Sequence, residues 1–215
     1  MAEETSLRVY GGVEGDERQA ERRMQLIEAG LDILGSDSGD ASLTVRGVCK
    51  QAGLATRYFY ESFAGRDALA IAVYDHVIEE MATTTLAAVT AAPAEARAKI
   101  RAGLENIART IAADPRRGRL LFSVALTNSL LLHRRVHSSR LFAGLLGDQA
   151  KAFYGISEET DIEPTTQFIV GGLSQTFTAW LDGTLELDQR RLVDRCTEIF
   201  LAISELRPAP SGRSH

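Results

Sequence analysis

The stretch from residue 42 to residue 66, SLTVRGVCKQAGLATRYFYESFAGR, constrains the fold more than any other part of the chain. The serine and threonine near its start can accept a hydrogen bond from a free backbone N–H in the first turn of a helix. Gly53 in the middle can adopt the positive φ of a tight turn without a Cβ clash. Beyond the turn, Phe59 and Phe63 are four residues apart, so they share one face of a second helix. The pattern predicts two short helices joined by a tight turn, which is a helix-turn-helix.

The other faces of the second helix carry side chains that suit DNA. Arg57 can form a bidentate hydrogen bond with guanine, and Thr56 can reach a phosphate or a thymine methyl group. Tyr58 and Tyr60 can hold the DNA backbone. Residues 42–66 include four basic side chains and one acidic side chain, whereas the net charge of the whole chain is −5. Positive charge is therefore concentrated on the predicted helix-turn-helix, as DNA binding requires.

The order of residues 43–69, and above all its ending YFYESFAGRDAL, resembles the DNA-binding domain of the TetR family of bacterial repressors. That family has a Tyr and a Phe three residues apart, followed by a turn with a basic and an acidic residue. Tyr60, Phe63, Arg66 and Asp67 match these positions. The resemblance implies a DNA-binding domain of three helices.

The chain departs from the family pattern at three positions. Ala55 replaces a capping Ser or Thr, so Thr56 is expected to cap the second helix instead. Gly47 replaces a common acidic residue and weakens the first helix by up to about 1 kcal/mol. Glu61 replaces a common His, and its carboxylate would repel phosphates or accept a hydrogen bond from cytosine N4. The residues expected to contact DNA are Thr44, Arg46, Thr56, Arg57, Tyr58, Tyr60, Glu61 and Arg66.

The residues before the helix-turn-helix divide into a tail and a helix. Residues 1–15 are acidic and rich in glycine, so we expect no ordered structure there. From Asp16 to about Gly35, apolar residues recur at spacings of three and four, which predicts a helix. The family resemblance implies that the beginning of this helix lies near DNA phosphates, where Arg22 and Arg23 can bind. Two solvated arginines are the alternative interpretation.

The rest of the chain is expected to be helical almost throughout, since no strand pattern occurs. Asp67 is expected to cap a helix that runs to about Val89. Further helices are expected at residues 94–112, 116–131, 134–154, 164–181 and 188–206. The predicted fold class is therefore all-α, with an N-terminal helix-turn-helix DNA-binding domain of three helices and a helical ligand-binding and dimerisation domain. The predicted parts are a disordered tail at 1–15, the DNA-binding domain at 16–66, the ligand-binding and dimerisation domain at 67–206, and a disordered tail at 207–215.

Two later segments, DPRRGRLLF at residues 114–122 and GGLSQTFTAWLDGTL at residues 171–185, resemble the regulatory half of TetR-type proteins. The resemblance implies a ligand-binding domain and a homodimer formed by the last two long helices. An apolar stripe on each of these helices fits a dimer interface, although a single bundle can also bury such stripes internally. The stripes consist of Ile169, Leu173, Phe177 and Trp180, and of Leu192, Cys196, Ile199, Ile203 and Leu206.

A ligand pocket is expected among the central helices, where large apolar and aromatic residues recur. Such a lining predicts a small-molecule effector that is apolar or aromatic. The candidate ligand-binding residues are Phe122, Leu126, Leu130, Phe142, Phe168, Gln175 and Trp180.

Little in the sequence indicates catalysis. His133 and His137 share a helical face at a spacing that can suit a divalent metal, but three nearby arginines disfavour a cation. Neither a phosphate-binding loop nor a nucleophile elbow occurs. We therefore expect no enzyme activity, no cofactor and no metal site. The sequence also has no membrane-spanning apolar run and no secretory signal, so a cytoplasmic protein is expected.

Together these features predict a ligand-responsive transcriptional regulator, a repressor whose homodimer binds a palindromic DNA operator and leaves it when a small molecule binds. The second helix of the helix-turn-helix is called the reading helix below. Two reading helices related by a two-fold axis, about 34–36 Å apart, would meet successive major grooves. Two alternatives remain open: a helical protein-interaction module that does not bind DNA, and a metal-dependent helical enzyme that uses His133 and His137.

Overall fold

Nine α-helices form the part of the chain that the computed structural model describes, namely residues 4–36, 42–122, 129–157 and 161–204, with the side chains of residues 4–14 excepted. No strand occurs in these ranges, and no helix within them is long and apolar enough to span a membrane. The all-α fold class predicted from the sequence is confirmed. The helices are α1 (Glu4–Leu34), α2 (Val45–Ala52), α3 (Thr56–Ser62), α4 (Arg66–Ala91), α5 (Ala96–Ala113), α6 (Pro115–Phe122), α7 (Ser129–Tyr154), α8 (Glu163–Leu181) and α9 (Gln189–Ser204).

Helices α1, α2 and α3 pack against one another around fully buried apolar side chains. Leu26 and Leu34 come from α1, Val48 from α2 and Phe59 from α3, and each is at most 1% exposed. Because α2 and α3 are only two turns long, neither would be stable alone in water. Packing on the longer α1 therefore holds the two short helices in place.

Helix α4 belongs to both halves of the molecule. Its N-terminal part packs on α1 so closely that a Cβ at Gly30 would lie 2.7 Å from Val73 Cγ2. Its C-terminal part packs on α5 and α7. One hydrophobic core therefore continues from α1 through α4 to Leu192 and Cys196 of α9.

The remaining helices surround the C-terminal part of α4. Helix α5 packs between α4 and α9, and α7 packs on α8. The short α6 contacts α1, α5 and α8, so it touches both halves of the molecule. A buried hydrogen bond of 2.8 Å between Tyr74 Oη and Ser138 Oγ joins α4 to α7.

Two predicted helix boundaries are wrong. Helix α1 begins at Glu4, so residues 4–15 are helical instead of lacking structure; glycines there cost about 1 kcal/mol each, but no proline interrupts the helix. Helix α7 begins at Ser129 and continues through the break predicted before residue 134, because no Gly or Pro occurs there. Residues 123–128 of the predicted helix 116–131 and the predicted tail at 207–215 lie outside the described residues.

Two predicted helix caps are also wrong. Ala55 is the residue before α3 and makes no side-chain capping bond, and Thr56 is the first residue inside the helix. Gly65 is the residue before α4, and Asp67 lies in the first turn, where its carboxylate pairs with Arg66 at 3.4 Å. A carboxylate in this turn still stabilises the helix because it faces the positive end of the helix dipole.

Candidate nucleic-acid interface and ligand cavity

The turn between α2 and α3 has the geometry predicted from the sequence. Thr44 Oγ1 accepts a hydrogen bond of 3.0 Å from the Gly47 N–H and so caps α2. A Cβ at Gly47 would lie 2.9 Å from that hydroxyl oxygen, so glycine at this position makes room for the cap. At the other end, Gly53 has a φ of 67° and a ψ of 24°, the left-handed conformation that glycine adopts at little cost. This turn fixes the direction in which α3 leaves α2.

Helix α3 buries one face and exposes the others. Phe59 and Phe63 are 0% and 5% exposed, and their ring centroids are 5.7 Å apart. Tyr60, the residue after Phe59, is 61% exposed, and Thr56 and Arg57 are exposed as well. The residues predicted to read bases are therefore accessible on this helix.

Two guanidinium groups lie over the ring of Tyr58. Arg22 of α1 lies 4.5 Å from the centroid of its ring and Arg57 lies 4.7 Å from it. Arg57 Nη2 also donates a hydrogen bond of 2.7 Å to Tyr58 Oη, which raises the pKa of Arg57. Cation–π contacts of this kind contribute about 0.5–1 kcal/mol at exposed sites. Tyr58 therefore positions the side chain of Arg57 at the surface.

Glu61 has basic and polar partners on α1. Its carboxylate lies 3.8 Å from Arg22 Nη2, and its backbone carbonyl accepts a hydrogen bond of 3.4 Å from Gln19 Nε2. Arg23 packs over the ring of Phe63, 5.1 Å from the centroid. Arg22 and Arg23 therefore join α1 to the reading helix, a role that sequence reasoning missed because it depends on how the two helices cross.

Three further basic side chains are exposed around the helix-turn-helix. Arg46 and Lys50 lie on α2, and Arg66 begins α4. Arg66 pairs with Asp67, but both side chains are more than half exposed, so the pair is solvent-screened. These cations can approach phosphates on either side of the reading helix.

A cavity of about 380 Å³ lies among α4, α5, α7, α8 and α9. Its size is at the lower end of the range of about 300–1,000 Å³ that small-molecule sites occupy. The lining is predominantly apolar, and it consists of Ala82, Thr85, Leu86, Val89, Ala96, Lys99, Ile100, Gly103, Leu104, Ile107, Phe142, Leu145, Leu146, Gln149, Ala150, Ala152, Phe153, Tyr154, Val170, Leu173 and Phe200.

Of the seven candidate ligand-binding residues, Phe142 lines this cavity. Phe122 and Trp180 pack instead against Phe177, at centroid distances of 5.8 Å and 6.2 Å, and the Trp180 indole donates a hydrogen bond to a backbone carbonyl. The other candidates do not line it either: Leu130, Phe168 and Gln175 are exposed, and Leu126 lies outside the described residues. Most of the lining was missed because it comes from small residues and from faces of α4 and α5 that only helix packing determines.

The two histidines of the proposed metal pair do not form a metal cluster. His133 Nδ1 lies 2.7 Å from the backbone carbonyl oxygen of Ser129, and the neighbouring Arg134 pairs with Asp75 at 3.3 Å. Within the described ranges, no group of three or more His, Cys, Asp or Glu side chains is placed to hold a metal.

An ion-pair cluster joins α1 to α6. Arg116 of α6 pairs with Glu28 at 2.8 Å, with Asp32, and with Asp114 at 2.7 Å. The hydrogen bonds that Arg116 donates to Asp114 hold the pKa of that carboxyl below its ordinary value. A Cβ at Gly35 would lie 2.7 Å from Arg116 Cα, so only glycine permits this close approach of α1 and α6. The helix-turn-helix domain is therefore attached to the cavity-bearing domain at α6 as well as along α4.

No protein-family model and no curated protein matches this sequence. Solved structures match it over most of its length. A TetR-family transcriptional regulator from Syntrophomonas wolfei has a TM-score of 0.71 at 10% identity, over 86% of this chain and 96% of its own. A transcriptional regulator from Pseudomonas aeruginosa has a TM-score of 0.68 at 21% identity, over 87% and 92%. The transcriptional regulator FadR from Bacillus subtilis, solved in complex with stearoyl-CoA, has a TM-score of 0.67 at 18% identity, over 83% and 97%.

These matches confirm the resemblance that the helix-turn-helix residues carry. The chain has the fold of the TetR-family transcriptional regulators.

Proposed function

We propose that this chain is a ligand-responsive transcriptional repressor of the TetR type. Its homodimer binds a palindromic operator in bacterial cytoplasm and leaves it when a small molecule occupies the cavity among α4, α5, α7, α8 and α9. The observation that carries the proposal is the exposed reading helix α3, which follows a left-handed turn at Gly53 and presents Arg57 beside basic side chains.

Each residue predicted to contact DNA has a proposed role. Arg57 reads guanine and Thr56 contacts a phosphate or a thymine methyl group. Thr44, Arg46, Tyr60 and Arg66 contact the DNA backbone. Tyr58 positions Arg57, in keeping with their hydrogen bond of 2.7 Å. Glu61 is balanced by Arg22 and can accept a hydrogen bond from cytosine N4 if that ion pair opens.

Exposed apolar surface on α8 and α9 supports a homodimer. Phe168 of α8 is 70% exposed and Ile199 of α9 is 59% exposed. Ile199 belongs to the apolar stripe predicted for the interface, whereas Phe168 lies next to the stripe residue Ile169, which is buried within the protomer. Gly171 and Gly172 are also exposed, and a Cβ at either would meet nothing within 4 Å. Small residues between large apolar ones let a second helix approach closely. A two-fold axis here would pair two reading helices on successive major grooves.

Helix α4 supplies a path from the cavity to the reading helix. Ala82, Thr85 and Leu86 on its C-terminal part line the cavity, while Leu69 and Val73 on its N-terminal part are fully buried beside α1. A ligand that favours a different position of α4 would change the separation of the two reading helices. A coupling of about 1–3 kcal/mol changes operator affinity about 5- to 150-fold.

The lining of the cavity supports an apolar effector. It is built from aliphatic and aromatic side chains, and the Bacillus subtilis regulator with the same fold was solved with an acyl compound, stearoyl-CoA. The protein-interaction alternative gains little support, since Arg22 and Arg57 both cover the ring of Tyr58, which leaves Tyr60, at 61% exposed, as the accessible tyrosine of the pair.

Selection of bound sequences from a random duplex pool tests the proposal, followed by measurement of affinity across salt concentrations. If Arg46, Lys50 and Arg66 of both protomers each contact a phosphate, the slope of log K against log salt should be about −5. A palindrome with such a slope is the expected result. No enrichment by a folded, dimeric protein, or binding that does not respond to salt, would contradict the proposal.

A further inference from the structure

We infer that the cavity binds an amphipathic carboxylic acid, an elongated apolar molecule with one anionic headgroup, and that the ammonium group of Lys99 binds this headgroup. This ligand class depends on the function proposed above for the same cavity and adds the chemistry of the effector.

The charge of the cavity lining is the first observation. Of the lining residues, Lys99 is the only one with a charged side chain, and no acidic residue belongs to the lining. Thr85, Gln149 and Tyr154 add uncharged polar groups near aliphatic and aromatic surface. A ligand that matches this lining is apolar over most of its length and negatively charged at one end.

The pairing of the basic residues on α5 is the second observation. Arg97 pairs with Glu198 of α9, and Arg101 pairs with Asp194 of α9. Lys99, between them in sequence, has its Nζ bonded at 2.9 Å to the backbone carbonyl oxygen of Val89. Within the described ranges, no carboxylate lies within ion-pair distance of Lys99. The protein therefore neutralises the two arginines internally and leaves the lysine charge for a ligand.

The geometry of the ammonium group allows a second bond. An ammonium has three N–H donors, and the bond to Val89 near the C-terminal end of α4 uses one of them. A carboxylate that accepts from another donor would lie close to α4, the helix that also packs on α1. Headgroup binding by Lys99 would thus act directly on the helix proposed to carry the signal.

Direct binding of saturated fatty acids from octanoate to stearate, measured by calorimetry on the full chain, tests this ligand class. Each added methylene should strengthen binding about fourfold until the cavity is full, since burial of one CH₂ gives that factor. Methyl esters of the same acids should bind at least about tenfold more weakly, because they lack the charge-assisted hydrogen bond.

Two variants of Lys99 separate the charge from the capping bond. Lys99→Gln keeps an N–H donor for the Val89 carbonyl and Lys99→Met removes it. Both variants should lose the preference for acid over ester while keeping the affinity for the ester, and Lys99→Arg should retain the preference. Arg190→Met on α9, whose side chain is 86% exposed, serves as a control that should change nothing. Thermal unfolding of each variant verifies folding.

Equal affinity for acids and esters, or a preference that persists in Lys99→Gln, would overturn the role of Lys99. No binding by any member of the series would overturn the ligand class. Operator selection is independent of these measurements, so a failure here and a failure of the proposed DNA-binding function can be told apart.

Discussion

Replacing Arg116 by Met should remove the ion pairs that join α6 to α1 and to Asp114, the residue before α6. Arg116 is the common partner of three carboxylates, which are 57% exposed for Glu28, 35% for Asp32 and 20% for Asp114. Met fills most of the same volume but carries no charge, so the change removes the ion pairs and leaves the packing largely intact. The substitution therefore isolates the electrostatic part of this contact.

The expected loss of unfolding free energy in Arg116→Met depends on how well each ion pair is shielded from water. The exposed Glu28 pair contributes about 0–1 kcal/mol. Asp114 accepts hydrogen bonds from Arg116 Nη2 at 2.7 Å and Nε at 2.9 Å, and charge-assisted bonds contribute about 1.5–3 kcal/mol when they are shielded. Because Arg117 Nε also lies 3.4 Å from Asp114, part of that contribution survives. We expect a total loss of about 2–3 kcal/mol, which at about 2–4 °C per kcal/mol lowers Tm by about 4–12 °C.

The pH dependence of this loss has a definite sign. Arg116 lowers the pKa of Asp114, so the pair stabilises the fold above the ordinary carboxyl pKa of about 3.9 and ceases to do so as the pH falls through the lowered value. The difference in unfolding free energy between the parent and Arg116→Met should be complete at pH 7 and should shrink below about pH 4.

Urea unfolding at several pH values, with Arg190→Met as the control, measures both effects. The control should change the unfolding free energy by less than about 0.5 kcal/mol because its ion pair is weak and its side chain is 86% exposed. A loss for Arg116→Met no larger than that of the control, or a loss that grows as the pH falls, would refute the ion-pair cluster as a stabilising contact.

Three further substitutions test separate parts of the molecule. Arg57→Ala should weaken operator binding by about 1–3 kcal/mol and relax sequence preference at one base pair; an unchanged affinity would exclude Arg57 from base contact. Gly53→Ala should destabilise the fold by about 1–2 kcal/mol in urea unfolding because Gly53 has a φ of 67°. Gly65→Ala, at a φ of 173°, should not destabilise it in this way. Equal effects of the two substitutions would be inconsistent with strain at the turn. Phe168→Asp should convert the dimer to a folded monomer in sedimentation velocity. Val136 on α7 has a side chain that is 55% exposed, and Val136→Asp should leave the dimer intact. A dimer that persists in Phe168→Asp would place the interface elsewhere.

The helix-turn-helix could be predicted from sequence because its signals are local. The positive φ of Gly53 and the burial of Phe59 and Phe63 follow from residue type and spacing alone, and the structure has all three. Local signals were also misleading where two residues competed for one role. Thr56 and Asp67 were expected to cap helices, but each lies inside the first turn instead.

The cavity could not be predicted at the level of residues because its lining depends on how long helices cross. Phe122 and Trp180 look like ligand-binding residues in sequence, yet both pack on Phe177 in the core. Gly103 lines the cavity, and a Cβ there would lie 3.1 Å from Val89 Cγ2; this close approach of α4 and α5 is encoded by no local pattern. The role of Lys99 in the cavity could not be predicted either. Its neighbours on α5, Arg97 and Arg101, are also basic, but they pair with carboxylates of α9.

The measurement that most directly tests the central claim is the affinity of the protein for its selected operator with altered half-site spacing. Inserting about five base pairs, half a helical turn, between the half-sites turns one of them to the opposite side of the duplex. A dimer with two reading helices related by a two-fold axis should then bind no better than it binds a single half-site. Affinity that is unchanged by the insertion would contradict a dimer that reads two successive major grooves.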